Sequence, residues 1–251
     1  IFTSGATESD NLALLGVMGK NKDKGNHLIT CVTEHKAILD TAKHLESLGY
    51  DVTYLPVDEY GLISLSELKS AITEKTVLIS IMFANNEIGT IQNVSEIGAI
   101  AHEHDVLFHT DAAQAVGHIP IDVKKMNIDL MSFSSHKIYG PKGIGALYLR
   151  SLMPRVKLNS IVYGGGQERN IRSGTLNVPG IVGFAKAVEI TVAEMNQENI
   201  KFKKWTDNML EKFSKVGGKL NGHPSNRLVH NLNIRFDGIE SKAIINSVSK
   251  K

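Results

Sequence analysis

Apolar and polar positions along the chain follow two alternating patterns, one with the period of a helix and one typical of buried strands. Up to about residue 150, short apolar runs lie between longer segments in which apolar residues recur on one helical face. Strands are predicted at residues 27–32, 52–55, 77–84, 106–109, 130–133 and 146–149, and helices from residue 7 and at 38–48, 65–72 and 94–102. Because strands and helices take turns, the pattern predicts an α/β fold with a mainly parallel sheet flanked by helices.

Beyond residue 150 the pattern changes. A run of glycines at 164–166 precedes a long helical stretch at about 181–216, in which charged and apolar residues interleave. Apolar residues within 228–236 and a short helix at 241–248 then resemble the beginning of a smaller α+β unit. We therefore divide the chain into a large domain at 1–195 and a partial C-terminal small domain at 196–251. Because it opens without Met, the chain reads as a piece of a longer protein.

Composition narrows the classes of function. The 28 basic and 26 acidic residues leave a net charge of +2, too weak a field to predict direct binding to nucleic acid or to an anionic membrane surface. The longest apolar stretch, at 77–84, is far shorter than the roughly 20 residues that cross a bilayer. The single cysteine, Cys31, permits no intramolecular disulfide and fits a reducing compartment. We expect a cytoplasmic protein, or one of an organelle matrix in a eukaryote.

Polar residues follow four of the predicted strands. Open α/β sheets bind their ligands at the carboxyl ends of their strands, so these residues are candidates for a site. They are Thr33-Glu34-His35, Asn85-Asn86-Glu87, Asp111-Ala112-Ala113-Gln114 and Ser134-Ser135-His136-Lys137. We expect one pocket to collect all four groups.

Lys137 is the candidate for covalent chemistry at this edge. A lysine amine among an Asp, two His and several hydroxyls suits the formation of a Schiff base with pyridoxal 5'-phosphate. That cofactor needs an acidic partner for its pyridinium nitrogen, and Asp111 follows another strand. Its phosphate favours backbone N–H groups at a helix start, which Gly5-Ala6-Thr7 provides. Ser134 and His136 can complete that anion site.

Five ordered motifs carry a family resemblance. They are Ser-Gly-Ala-Thr-Glu-Ser-Asp-Asn at 4–11, Thr-Glu-His-Lys at 33–36, Asn-Asn-Glu-Ile-Gly at 85–89, Asp-Ala-Ala-Gln at 111–114, and the segment 132–145, with Ser-Ser-His-Lys-Ile-Tyr-Gly-Pro-Lys-Gly at its centre. In these motifs the chain resembles the cysteine desulfurases, from the class V branch of fold-type I pyridoxal phosphate enzymes. The resemblance covers essentially the whole chain. It implies an aspartate aminotransferase-like large domain with a sheet of the seven-stranded type.

The resemblance implies two catalytic residues and one partner for the ring. Lys137 is implied to form the Schiff base and to move protons at the substrate carbon. His35 is implied to stack on the pyridine ring and to act as an acid or base. Asp111 is implied to pair with the pyridinium nitrogen.

Further residues are implied to hold the rest of the cofactor. The residues around the phenolic oxygen are Asn86 and Gln114, and those at the phosphate are Ala6, Thr7, Ser134 and His136. Thr175, in the Arg-Ser-Gly-Thr segment at 172–175, is implied to reach the phosphate of the neighbouring subunit, so the resemblance predicts a homodimer.

The resemblance also implies an activity. A cysteine desulfurase takes L-cysteine, releases alanine and passes the sulfur to a cysteine thiolate as a persulfide. Scaffold or sulfur-acceptor proteins then receive the sulfur for iron–sulfur cluster assembly or tRNA thiolation. Two alternatives stay open: a selenocysteine lyase or other class V lyase or aminotransferase, and a non-catalytic dimerisation or partner-binding fragment. The complete cofactor set argues against the second.

The chain departs from the family pattern in two places. The family's sulfur-accepting cysteine lies on a mobile loop beyond the end of this chain, and the arginine that grips the substrate carboxylate lies further on. Cys31 falls within a predicted strand before His35, so we assign it as a small buried residue and not as the nucleophile. We expect the chain to support cofactor chemistry but to be incomplete for turnover.

Three weaker signals have ordinary interpretations. The glycine run at 164–166 lacks the Gly-Lys-Ser/Thr ending of a phosphate loop and is interpreted as a tight or mobile turn. His102 and His104 lack a third ligand at useful spacing, so no metal site is predicted. Asn85 competes with Asn86 for the cofactor role, and either asparagine is also suited to tying a loop down.

Overall fold

The computed structural model describes residues 1–151 and 155–249 and contains a seven-stranded sheet in the order β1-β7-β6-β5-β4-β2-β3. The strands are β1 Phe2–Thr3, β2 His27–Cys31, β3 Asp51–Leu55, β4 Thr76–Ser80, β5 Leu107–Asp111, β6 Leu130–Ser134 and β7 Gly145–Leu149. The pairs β2–β3, β2–β4, β4–β5 and β5–β6 are parallel, whereas β7 is antiparallel to both β6 and β1. The predicted α/β fold with a mainly parallel sheet is confirmed.

The main helices within the described residues are α1 Ala6–Lys20, α2 Lys36–Ser47, α3 Leu65–Ala71, α4 Val94–Glu103, α5 Val178–Ser214 and α6 Ser241–Val248. Successive strand residues point to opposite faces, and both faces are apolar. Leu28 packs into the core formed with α1 and α2, while its neighbour Ile29 packs into the core formed with α3 and α4. The sheet is therefore the middle of three layers. The helices cover its two faces, and the ends of its strands stay uncovered.

The ends of β4 and β5 differ from the prediction by two residues or more, and both shape the site. Strand β4 ends at Ser80 and not at residue 84. The segment that follows it stays beside β5 through two backbone hydrogen bonds. The N–H of Ile81 donates to His109 O at 3.2 Å, and that of Phe83 to Asp111 O at 2.9 Å. Strand β5 extends to Asp111 and does not end at residue 109, so Asp111 is its last residue and does not lie in the segment after it. The pairing of β5 with its neighbours therefore fixes the backbone of Asp111.

The C-terminal part is less regular than predicted. Strands β8 Lys219–Leu220 and β9 Ile234–Arg235 form an antiparallel pair. Of the strand predicted over 228–236, only residues 234–235 are in a strand. The reason lies in Arg227, whose guanidinium donates to the carbonyls of Asn221, His223 and Asn231 and holds the segment in a compact loop. Helix α5 runs for 37 residues through the boundary placed at 195/196, and the division into 1–195 and 196–251 stays a prediction.

No helix of the described residues is both long enough and apolar enough to cross a membrane.

Candidate active site

A cavity of about 600 Å³ opens at the carboxyl ends of the parallel strands, beside the start of α1. Cavities of this size hold small ligands and cofactors. It is lined by the predicted cofactor residues Ala6, Thr7, His35, Asn86, Asp111, Gln114, Ser134, His136 and Lys137. Thr175 does not line it and is exposed. The structure therefore brings together residues from four strand ends and one helix start.

Lys137 lies in a 3-10 turn, Ser135–Ile138, directly after β6. The N–H of Ser135 donates to Ile144 O at 3.2 Å, and that of Gly140 donates back to Ser135 O at 3.0 Å. Ile138 is buried in a small core with Phe184 of α5. Because both flanks of the turn are held, the lysine side chain is presented to the cavity from a fixed backbone.

Asp111 is the buried carboxyl of the cavity. Its Oδ1 accepts the Ala113 N–H at 2.9 Å. Burial raises the pKa of Asp111 above its ordinary value, while the Ala113 N–H and the charges of His35 and Lys137 act in the opposite direction. A cationic group bound against this carboxyl would favour the ionised form further.

The start of α1 forms an anion-binding end to the cavity. The first turn of this 15-residue helix presents free N–H groups next to Gly5. A side chain on Gly5 would place its Cβ 3.7 Å from Ser134 Oγ, so the serine hydroxyl faces the same turn. Ser134 Oγ is 2.8 Å from His136 Nδ1. Desolvation, together with the charges of Lys137 and Lys142, lowers the pKa of His136, which favours its neutral form.

His35 and the asparagine pair have separate structural anchors. His35 is the N-cap of α2, where its Nδ1 accepts the Ala37 N–H at 3.1 Å. This bond orients the ring at the cavity and leaves Nε2 free. Asn85 is buried and ties its loop down by donating to Thr33 O at 3.1 Å, whereas the exposed Asn86 lines the cavity. Of the two, Asn86 is thus the one placed for a ligand.

An ion pair ties the segment of Thr175 to the mouth of the cavity. Arg172 Nε donates to Glu8 Oε1 at 2.7 Å, and its terminal nitrogen donates to Oε2 at 3.2 Å. Burial raises the pKa of Glu8, but the Arg172 guanidinium and the Ser4 N–H outweigh it, so the pKa lies below its ordinary value. Such bidentate pairs fix geometry well. The ion pair therefore fixes Arg172, three residues before Thr175, against the start of α1.

Sequence reasoning missed several lining residues. Glu8, Asp10 and Lys142 line the cavity but were not singled out, although all three lie inside the motifs that carry the resemblance. Asp10 is three residues after Thr7, which places it close to the same face of α1. Helical spacing alone could have drawn attention to it.

Glu34 is a buried carboxyl behind the cavity. Its Oε1 accepts the Met82 N–H at 2.6 Å and the Cys31 thiol at 3.1 Å, while its Oε2 has no partner among the described residues. Burial raises the pKa of Glu34 to about 8, against the effect of the Met82 N–H. Glu34 is therefore protonated at neutral pH.

The pKa of Glu34 predicts how stability depends on pH. Between 4.5, the ordinary value, and about 8, the folded chain keeps a proton that the unfolded chain releases. The contribution of Glu34 to the free energy of unfolding therefore falls as pH rises through this window, by up to about 1.4 kcal/mol per unit. Glu34→Gln, which mimics the protonated acid, is expected to flatten the decline. Urea titrations from pH 5 to 9 measure it, with the exposed Glu59→Gln as the matched control. Equal slopes in Glu34→Gln and wild type would contradict the assignment.

The weaker sequence signals fall outside the cavity. Cys31 is buried in β2, and burial raises the pKa of its thiol well above the ordinary value, as expected of an unreactive cysteine. His102 Nε2 lies 3.1 Å from Asp129 Oδ1 and is part of a structural contact. The described residues contain no group of three or more His, Cys, Asp or Glu able to hold a metal ion. The glycine run leads into a turn, Gln167–Asn170, in which Glu168 and Arg169 have left-handed backbone angles.

Comparison with known proteins agrees with this geometry. The sequence profile described as "Aminotransferase class-V" matches residues 1–251. The chain belongs to the class-V aminotransferase family. A relative named cysteine desulfurase IscS, from Methanosarcina thermophila, is 54% identical over 245 residues, which is 97% of this chain and 60% of that protein. The chain thus spans about 60% of the length of the curated relatives it matches.

Solved structures show the same fold. A NifS-like protein superposes with a TM-score of 0.95 at 40% identity, over 100% of this chain and 68% of its own. A structure described as SspA in complex with cysteine superposes with a TM-score of 0.85 at 41% identity, over 100% of this chain and 69% of its own. The expected family and fold type are therefore confirmed.

Pyridoxal 5'-phosphate is the cofactor of this family, and the residues of the cavity fit it. The cavity offers an amine for its carbonyl, a carboxyl for its ring nitrogen, amide groups for its phenolic oxygen and a helix start for its phosphate. The phosphate end is also tightly built: a Cβ on Gly145 would lie 2.6 Å from Gly5 Cα, so only glycine fits behind this turn.

Proposed function

We propose that this chain is the cofactor-binding part of a longer pyridoxal phosphate-dependent cysteine desulfurase. The enzyme would remove sulfur from L-cysteine, release alanine and leave the sulfur as a persulfide on a protein cysteine. The observation that carries the proposal is the single cavity in which Lys137 and Asp111 meet the start of α1, in a chain 54% identical to a cysteine desulfurase. The names of the relatives favour this activity over a selenocysteine lyase. The complete set of cavity residues argues against a non-catalytic fragment.

Lys137 and Asp111 have complementary roles in the proposal. The amine of Lys137 would hold the cofactor covalently and, when free, could move a proton at the substrate carbon. When bound, the cofactor supplies a ring that withdraws electrons from that carbon. Asp111 keeps the ring nitrogen protonated, because a buried carboxylate favours a cation beside it.

The remaining cavity residues orient the ring. His35 covers one face of it and can exchange a proton through its free Nε2, since Nδ1 is occupied by the Ala37 N–H. The residues at the phenolic oxygen are Asn86 and Gln114, and those at the phosphate are Ala6, Thr7, Ser134 and His136. Holding both ends of the ring preserves its alignment with Lys137 through several proton transfers.

The proposal places the sulfur acceptor and the substrate-binding arginine outside this chain. Cys31 is buried, which supports an acceptor elsewhere in the longer protein. Thr175 is exposed and follows Arg172 of the Glu8–Arg172 pair by three residues, which supports a contact with a neighbouring subunit, so we propose a homodimer. The partners would be an iron–sulfur scaffold or another sulfur-acceptor protein, and the site of action the cytoplasm or an organelle matrix.

A turnover assay of the full-length protein tests the proposal. With pyridoxal phosphate, L-cysteine and a thiol reductant, alanine and sulfide are expected in equal amounts. Cys31→Ala is the matched control. It is expected to leave turnover within about twofold, because the buried thiol lies outside the cavity and takes no part in the chemistry. Absence of alanine, or turnover of selenocysteine without turnover of cysteine, would reject the proposed function.

A further inference from the structure

Asp10 is a second carboxyl in the cavity and has no assigned role so far. It lies in the second turn of α1, is completely buried and lines the cavity together with Asp111. Neither of its carboxyl oxygens has a hydrogen-bond partner among the described residues. A buried polar group without a partner is costly, so its protonation state and its contacts need a physical explanation.

The sheet beneath Asp10 offers a neutral histidine and no cation. His109 and Asp111 are two residues apart on β5 and therefore face the same side, and Ser132 of β6 is in register with Asp111. The ring of His109 is fixed between Ser80 Oγ and Ser132 Oγ, each 2.9 Å from a ring nitrogen. Its Nε2 lies 3.7 Å from Asp10 Oδ1. Burial lowers the pKa of His109 to about 3, so it brings no positive charge to Asp10.

The charge that faces Asp10 most strongly is the Asp111 carboxylate. Burial raises the pKa of Asp10 well above its ordinary value and the Asp111 carboxyl raises it further, against the opposite effect of the Ser132 hydroxyl. Lys137 and the ring of His35 act on Asp111 instead, where they favour its ionised form. When two carboxyls share one buried site, a single one ionises, and the cations decide which.

We propose that Asp10 carries a proton and is a positioning residue for Asp111, leaving Asp111 as the single anion below the cofactor. The inference rests on the proposed function, because it assigns Asp111 to the cofactor nitrogen. A protonated Asp10 has one O–H to donate, and Asp111 is the anionic acceptor that shares its cavity. That bond would hold the Asp111 carboxylate in place and add no second negative charge. An ionised Asp10 would compete for the ring nitrogen.

Infrared spectroscopy of the cofactor-free chain tests the protonation state. The wild-type minus Asp10→Asn difference spectrum at neutral pH is expected to contain the C=O band of a protonated carboxylic acid. The exposed Asp23→Asn, a matched control, is expected to remove the band of an ionised carboxylate instead. Loss of an ionised carboxylate band in Asp10→Asn would overturn the proposal. This readout needs no bound cofactor, so it stands even if the proposed function fails.

Binding of pyridoxal phosphate tests the positioning role. Asp10→Asn keeps a neutral donor and is expected to bind within about twofold of wild type, with the same dependence of cofactor absorbance on pH. Asp10→Ala loses the donor and is expected to bind about 10- to 100-fold more weakly, the range for a lost hydrogen bond to a charged group. Equal weakening in both variants, or a shifted pH profile in Asp10→Asn, would overturn the proposal. Failure of the wild-type chain to bind would instead count against the proposed function.

Circular dichroism separates a positioning effect from a folding defect. If Asp10→Ala is unfolded, Asp10→Ser takes its place, because the shorter hydroxyl keeps a donor without the volume of the carboxyl. Intermediate cofactor affinity in a folded Asp10→Ser variant is the expected result. A folded Asp10→Ser variant that binds the cofactor more than about 100-fold more weakly than wild type, or wild-type affinity in a folded Asp10→Ala variant, would contradict the role.

Discussion

Replacing Lys137 with alanine is expected to reduce turnover by the full-length protein about 10²- to 10⁴-fold, the range for the loss of a group that transfers protons. The same substitution removes the amine that holds the cofactor, so the variant should lose its bound pyridoxal phosphate on gel filtration. The turn around Lys137 is fixed by backbone bonds and by Ile138, and the substitution is expected to leave the fold intact. Alanine release and the absorbance of the bound cofactor measure the two effects.

The control for this substitution is Lys43→Ala, at an exposed position of α2 away from the cavity. It removes the same charge and side chain and is expected to leave turnover and cofactor content unchanged. Retention of full turnover by Lys137→Ala would show that another amine performs the chemistry. Lys142 would then be the alternative, because it is the other lysine that lines the cavity within the described residues.

Asp111→Asn is expected to lower turnover by about 10²- to 10³-fold. The variant leaves the protonated ring nitrogen without its buried anionic partner, a loss of about 3–5 kcal/mol. Asparagine has nearly the same shape and can still accept the Ala113 N–H through its carbonyl, so the backbone of β5 should not move. The defect is expected in the maximal rate more than in substrate binding, because the ring is less able to withdraw electrons.

The exposed Asp40→Asn is the matched control and is expected to behave as wild type. Asp111→Glu keeps the charge but moves it by one methylene. Its turnover is expected to lie between that of wild type and that of Asp111→Asn. A spectrum and rate for Asp111→Asn that equal those of wild type would exclude Asp111 as the partner of the ring nitrogen.

The strands of the sheet could be predicted because each one is marked by a local run of apolar residues. Strand residues such as Leu28 and Ile29 face two different apolar cores, so the strand reads as a continuous apolar run between two amphipathic helices. The extent of β9 could not be predicted, since the apolar residues at 228–236 favour a strand. The side chain of Arg227 instead donates to the backbone carbonyls of Asn221, His223 and Asn231, and the pattern of apolar residues carries no sign of these hydrogen bonds.

The cavity could be predicted because several strands of a parallel sheet end at one edge. The meeting of strand ends predicts that Asp111, Lys137 and His35 lie close together, and all three line one cavity. It could not reveal Asp10, because that carboxyl comes from a helix that crosses the edge. The sequence also does not show which of Asn85 and Asn86 faces a ligand, because the two are adjacent and have the same side chain. The structure separates them, since only Asn85 donates a hydrogen bond to Thr33 O.

Reduction of the cofactor-loaded chain with borohydride, followed by peptide mapping, tests the central claim most directly. Reduction converts the bond between cofactor and lysine into a stable amine, so the label marks the residue that holds the cofactor. The expected result is one labelled peptide, containing the segment 134–143, with the added mass on Lys137. A label on any other lysine, or no label on a chain that binds the cofactor, would contradict the account.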